Sequence, residues 1–216
     1  MNTSSHPHAG QPVLKAGAPL PAAKAAMIML HGRGASAEDI LLLANDLDRD
    51  DFAYVAPQAA GWTWYPHSFL QPLALNEPYL SSALRIITET IEMLIGAGLP
   101  STRIMVLGFS QGACLALEYS VRNARRYGGI VGLSGGLIGP DGTPRDYPGS
   151  LAGTPIFLGC SDVDLHIPKA RVLHTAETLR LLEGEVTLRL YPGMGHTVNE
   201  DELEYVRGIM AALVEV

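Results

Sequence analysis

Long apolar runs, cysteine and basic charge are all scarce in this chain. No apolar run reaches the roughly 18 residues that mark a membrane-spanning helix, so no membrane span is expected. Among 216 residues there are only two cysteines, Cys114 and Cys160. Both sit in apolar surroundings without metal-ligand spacing, which predicts buried, reduced thiols and a cytoplasmic protein. Charged residues make up 17% of the chain and the formal net charge is −7, so there is no basic surface for nucleic acid. The opening "MNTSSHPHAGQPVLKAGAPLP" lacks the basic start and apolar core of a secretion signal. Residues 1–20 read as an N-terminal leader, partly flexible, with His6 and His8 solvated. Residues 21–216 read as a single domain, the length suiting one sizeable core. Internal repeats, low-complexity tracts and a second-domain linker are missing as well.

Apolar residues are plentiful at 47%, with 23 glycines and 15 prolines, a globular profile with many tight turns. Short apolar runs alternate with helical patterns. Strands are predicted at 25–30, 52–57, 103–109, 128–135, 154–160 and 185–192. A helix capped by Ser36 follows the first of them, carrying Glu38 and Asp39 in its first turn. Further helices are predicted from Pro78 to about Ile95, from Gln111 to about Ala124, from about Pro168 to Leu182, and after Asn199. Between 58 and 77 lies a long loop holding both tryptophans, of a length that usually carries function. Continuous apolar strands alternating with helices predict a mostly parallel sheet covered on both faces. In such sheets, sites collect at the carboxyl ends of the strands.

Three residue types with complementary chemistry follow strands. Ser110 stands in "GFSQG", directly after the strand 103–109 and before a helix, the strand–turn–helix setting of a G-x-S-x-G elbow. There a β-carbon at 108 or 112 would collide with the neighbouring strand or helix, and the helix N-terminus favours developing negative charge. A neutral serine needs a base within hydrogen-bonding reach. Of the seven histidines, His196 follows the sixth predicted strand and is the last in the chain, fitting the order Ser…Asp/Glu…His. His174 falls within a helix, and His31, His67 and His166 lie on loops. "FLGCSDVDLHIP" offers two acids, Asp162 and Asp164, and spacing does not separate them. The N–H of Gln111 and that of Arg33, in "HGRGAS", are candidate oxyanion donors. Trp62, Trp64, Tyr65 and Phe69 are candidates for a substrate wall, with His67 beside them.

Together, "LHGRG", "APQA…WYP", "LGFSQGACLALEYS", "GLSGGL", "TPIFLGCSDVDLHIP" and "YPGMGHTVNEDEL" resemble, in order, the phospholipase/carboxylesterase family of α/β-hydrolases. The resemblance covers roughly residues 25–214. It implies a compact α/β-hydrolase fold with little or no lid, helices on both sheet faces, and a serine esterase acting on short-to-medium acyl esters. Some family members are thioesterases or lysophospholipases. The family's acid stands four residues before a proline, which here selects Asp164, with Leu165 where the family often has proline. The implied site is catalytic Ser110, Asp164 and His196; oxyanion N–H groups of Arg33 and Gln111; and a pocket of Trp64, Tyr65, His67 and Phe69. Neither a metal nor an organic cofactor is called for, and the expected partner is a small-molecule ester. The rival enzyme reading is a cysteine nucleophile, for which Cys114 lies one turn too far along the helix. The non-enzyme rival is a silent hydrolase fold used for binding. An apolar rim on a lidless hydrolase is compatible with a homodimer. The "WYP" followed by Ser68-Phe69 resembles the bacterial branch more than the eukaryotic thioesterases.

Overall fold

A computed structural model describes residues 6–215. Seven strands form one sheet in the order β1-β3-β2-β4-β5-β6-β7. They are β1 Val13–Gly17, β2 Ala25–Leu30, β3 Phe52–Pro57, β4 Ile104–Phe109, β5 Gly129–Leu133, β6 Pro155–Ser161 and β7 Glu185–Tyr191. Only β1 is antiparallel, pairing Val13 with Pro57 through Gly17 with Ala53. The six inner and far-edge strands are parallel, in register such as Ile28↔Val106 and Val106↔Ile130. Helices α1 Ala37–Leu41, α2 Leu43–Leu47, α3 Tyr79–Gly96, α4 Gln111–Arg122, α5 Lys169–Leu181 and α6 Glu200–Glu215 connect or follow the strands.

Successive strand side chains face opposite ways, so each apolar strand feeds two cores. Ala26, Ile28, Leu30, Ile104 and Val106 pack under α3, α4 and α5. Ala25, Met27, Met29, Met105 and Leu107 pack on the other face, against α1, α2 and α6. Helices therefore cover both faces, as the alternation predicts. All six predicted strands are present within a residue or two of their predicted ends.

Two expectations need correction. His8, expected to be solvated, is completely buried, and part of the segment read as a leader forms β1, which pairs with β3, although most of its other residues are exposed. An edge strand of pattern "VLKAG", half exposed and carrying a lysine and a glycine, lacks the apolar continuity by which inner strands are recognised. Residues 1–5 of that leader lie outside the described residues. The helix predicted after Ser36 is in fact two short ones. Ser36 closes a capping box with Asp39, but the first helix stops at Leu41, and α2 ends on Asp48 in the left-handed conformation.

Candidate active site

The carboxyl ends of β4, β6 and β7 bring three sequence-distant residues together. Ser110 directly follows β4 with φ 55° and ψ −118°, a strained turn for a residue with a β-carbon. The turn is held because its N–H donates to Leu133 O at 2.9 Å, at the end of β5. Its glycines are obligatory for space. A β-carbon at Gly108 would lie 2.2 Å from Gly112 O, and one at Gly112 would lie 2.1 Å from Leu30 O. The elbow thus depends on helix α4 crossing in contact with β2 and β4.

His196 lies on the loop between β7 and α6, with Nε2 2.8 Å from Ser110 Oγ and Nδ1 2.7 Å from Asp164 Oδ2. The other Asp164 oxygen accepts the N–H groups of His166 at 2.8 Å and Ile167 at 3.0 Å. Burial alone would raise this carboxyl, but the His196 ring N–H and the two backbone N–H groups outweigh it and hold it below the usual carboxylate range. Asp162 serves otherwise: it accepts Gly193 N–H at 2.8 Å and so anchors the loop that carries His196. The structure thus brings Asp164 to His196 and leaves Asp162 off the chain of bonds.

Arg33 and Gln111 both line the cleft beside Ser110, and their backbone N–H groups have no backbone acceptor among the described residues. Each of these residues also has a side-chain role that sequence reasoning missed. The Arg33 guanidinium donates to the carbonyls of Tyr65, Pro66 and His67, each at 2.9 Å. The Gln111 amide accepts Trp64 N–H at 2.9 Å and donates to Tyr65 O at 2.8 Å. Both side chains therefore hold the aromatic loop in place against the elbow. No sequence spacing signals this, because the partners are backbone groups of an aperiodic loop.

A cleft of about 460 Å³ opens over Ser110, within the size range of small-molecule sites. Tyr65 and Phe69 line it as expected, together with Pro66, Ser68, Cys114, His166 and Ile167. Trp64 and His67 do not. The Trp64 indole donates to His31 O at 2.9 Å and its ring packs 4.9 Å from that of His31, which places it wholly inside the core behind the cleft. His67 is exposed; its N–H is held by Asn76 Oδ1 at 2.8 Å, and only its carbonyl faces Arg33. Trp62 is 60% exposed on the surface. His166, expected only as a loop residue, stands edge-on to the His196 ring at 4.8 Å. Burial pushes the Cys114 thiol up to about 12, so a thiolate nucleophile has no support at the cleft floor. A larger cavity of about 850 Å³ lies near the starts of β4, β5 and β6, beside α6. Its arginines 103, 126 and 189 are committed to Leu213 O, to Ala152 O and Gly153 O, and to Asp201, and it contains no nucleophile–base pair.

Below His196, α6 begins with a reciprocal cap: Asn199 N–H donates to Glu202 Oε2 at 2.9 Å and Glu202 N–H to Asn199 Oδ1 at 3.0 Å. The second carboxyl oxygen, Glu202 Oε1, is buried without a partner against Gly159, where a β-carbon would lie 2.0 Å away. Burial raises this carboxyl to about 7 despite the Asn199 N–H. An acid raised on folding binds its proton more tightly in the folded chain, so its cost is absent below the ordinary 4.5 and complete above about 7. That gap corresponds to about 3 kcal/mol. Glu202→Gln is therefore expected to exceed the parent in stability at pH 8 by about 2 kcal/mol, narrowing to less than about 1 kcal/mol at pH 5. Urea unfolding at the two pH values checks this; an equal loss at both would mean that the carboxylate is favourable where it stands.

A parallel sheet with one antiparallel edge, helices on both faces and a serine on a tight strand–helix turn defines an α/β-hydrolase fold. The family model described as Phospholipase/Carboxylesterase matches residues 15–213, and the chain belongs to that family. It is thus a hydrolase of the esterase and thioesterase type. The crystal structure of a phospholipase/carboxylesterase from Dyadobacter fermentans is similar at 40% identity and a TM-score of 0.90, covering 94% of this chain and 97% of its own. Acyl-protein thioesterase 1 of Saccharomyces cerevisiae is 30% identical over 219 residues, 88% of this chain and 93% of its own length. The carboxylesterase of Bacillus cereus shares the fold at a TM-score of 0.74 and 18% identity, covering 95% of each chain.

Proposed function

We propose that the chain hydrolyses carboxylic esters of short-to-medium acyl groups with Ser110 as nucleophile, His196 as base and Asp164 as its partner. The observation that carries this reading is the unbroken run of bonds Asp164–His196–Ser110, at 2.7 and 2.8 Å, on a strained elbow. His196 Nε2 takes the Ser110 proton as Oγ attacks the ester carbonyl. The tetrahedral oxyanion accepts the Arg33 and Gln111 N–H groups, near the positive end of α4. Its collapse breaks the bond to the leaving alcohol, which receives the proton from His196. Water then attacks the acyl-serine, giving up a proton to His196, and the carboxylic acid departs as Ser110 regains it. Asp164 keeps the Nδ1–H tautomer and stabilises the imidazolium.

Sulfur as the leaving atom would pass through the same steps, and the name of the yeast relative makes thioesters worth testing beside oxygen esters. A silent binding module is disfavoured, because nucleophile, base and acid are all present within hydrogen-bonding distance. Two buried free thiols support a reducing, cytoplasmic setting. The test joins labelling to turnover. A fluorophosphonate probe should modify the peptide bearing Ser110 and abolish hydrolysis of p-nitrophenyl esters, whose rates should peak at short-to-medium chains. Failure to label Ser110 in protein of native fold would overturn the reading.

A further inference from the structure

Segment 6–12 lies upstream of the residues matched by the family model, 15–213, and yet it reaches the back of the aromatic loop. His8 has no exposed surface. Its Nδ1 accepts Ala60 N–H at 3.0 Å, and its Nε2 lies 2.9 Å from Trp64 O. A backbone N–H can only donate and a carbonyl can only accept, so the ring is neutral with its proton on Nε2. The His8 ring also packs edge-on to Trp64 at 5.6 Å. His31 also packs on Trp64, at 4.9 Å, and its Nε2 accepts Ala59 N–H at 3.1 Å while its Nδ1 faces Gly32 O at 2.8 Å. Two buried imidazoles thus take the consecutive N–H groups of Ala59 and Ala60, and both pack on Trp64. Burial lowers the basicity of both rings, in keeping with that neutral state.

The segment is itself fastened to α3. His8 N–H donates to Ser82 Oγ at 3.0 Å, and the Ser82 hydroxyl is left to donate to His6 Nδ1 at 2.6 Å. Ser82 is 2% exposed, so these bonds are sheltered from water. From Trp64 the chain passes directly to Tyr65 and on to Phe69, which line the cleft. Nothing in the elbow or in the catalytic loops requires a histidine at position 8.

We propose that His8 is a positioning residue, through which the N-terminal segment fixes the aromatic wall of the substrate cleft. The inference rests on the esterase reading of that cleft. His8 touches no reacting atom; it sets the path of 59–65, and through it the wall that meets the substrate. Losing its acceptor and donor strands the part-buried N–H of Ala60 and the buried carbonyl of Trp64, and the loop must move to hydrate them. Substrate binding should then suffer more than the chemical step.

The test compares full-length His8→Leu, which keeps bulk without polarity, with His8→Asn, whose amide oxygen can replace Nδ1 as acceptor for Ala60. With p-nitrophenyl butyrate, His8→Leu is expected to raise KM about five- to tenfold and to change kcat less than about threefold. His8→Asn, which restores the bond to Ala60 but not the one to Trp64 O, should bring KM part of the way back toward the parent. Unchanged KM in His8→Leu, a lowered Tm with unchanged KM, or an Asn variant as impaired as Leu would each overturn the proposal. A second readout needs no turnover. In a Trp62→Phe background, where Trp64 is the sole indole, His8→Leu should red-shift the emission and His8→Asn should shift it less. If the parent fails to label at Ser110, the esterase reading falls, while the emission still decides whether His8 holds the loop.

Discussion

Ser110→Ala is expected to lower kcat for p-nitrophenyl ester hydrolysis by roughly 10⁶-fold, with the fold and Tm retained. The substitution removes one oxygen whose only partner among the described residues is His196 Nε2. The remaining β-carbon already occupies the strained φ of 55°, so alanine adds no new clash at the turn. The bond from the residue 110 N–H to Leu133 O also survives, and with it the link between the elbow and β5. Loss of activity without loss of structure is therefore the signature of a nucleophile here. Some catalysis over water should remain, about 10³- to 10⁴-fold, because the Arg33 and Gln111 N–H groups still bind an oxyanion. Labelling by fluorophosphonate should vanish altogether. A variant that kept even a tenth of parental turnover would remove Ser110 from the mechanism.

That prediction could be framed from sequence because parallel sheets turn chain order into spatial order. Ser110, Asp164 and His196 each follow a strand, and strands β4, β5, β6 and β7 lie side by side. Their carboxyl ends therefore form one rim, and residues 86 apart in sequence meet at 2.8 Å. The two glycines of the elbow were legible for a steric reason that the distances to Gly112 O and Leu30 O bear out. The hidden parts share a different physics. Arg33, Gln111 and Asp162 act on the site by bonding backbone groups of other loops, and a backbone N–H or carbonyl leaves no mark on residue type. Trp64 reads as a wall residue because aromatics on long loops so often are, whereas its N–H found a partner inside the core. His8 was hidden twice, by a polar neighbourhood and by an edge strand that lacks the apolar continuity of an inner one. The loops around the cleft are thus fixed by single side chains rather than by ladders. Substitutions at those anchors should alter substrate binding before they alter stability.

The second large effect separates the two aspartates. Asp164→Asn is expected to lower kcat about 10⁴-fold, whereas Asp162→Asn should cost less than about tenfold. At position 164 the amide oxygen can still accept the His166 and Ile167 N–H groups, so the loop should keep its shape. Its NH₂ then faces His196 Nδ1, where a carboxylate oxygen stood at 2.7 Å. The ring must accept there and carry its proton on Nε2, pointing at Ser110 Oγ, and so it cannot act as a base. The positive charge that forms on the imidazole during attack also loses its counter-charge. This carboxyl lies below its ordinary range because His196 and two N–H groups outweigh its burial. It is therefore ionised across neutral pH, and the deficit should persist there rather than fade. At position 162 the only side-chain bond among the described residues is from Gly193 N–H, which an amide oxygen accepts as well. Parallel measurement of kcat and KM for both variants decides the matter. Equal losses, or a greater loss at 162, would mean that the acid has been assigned to the wrong aspartate and that the 2.7 Å contact is only a support for the histidine loop.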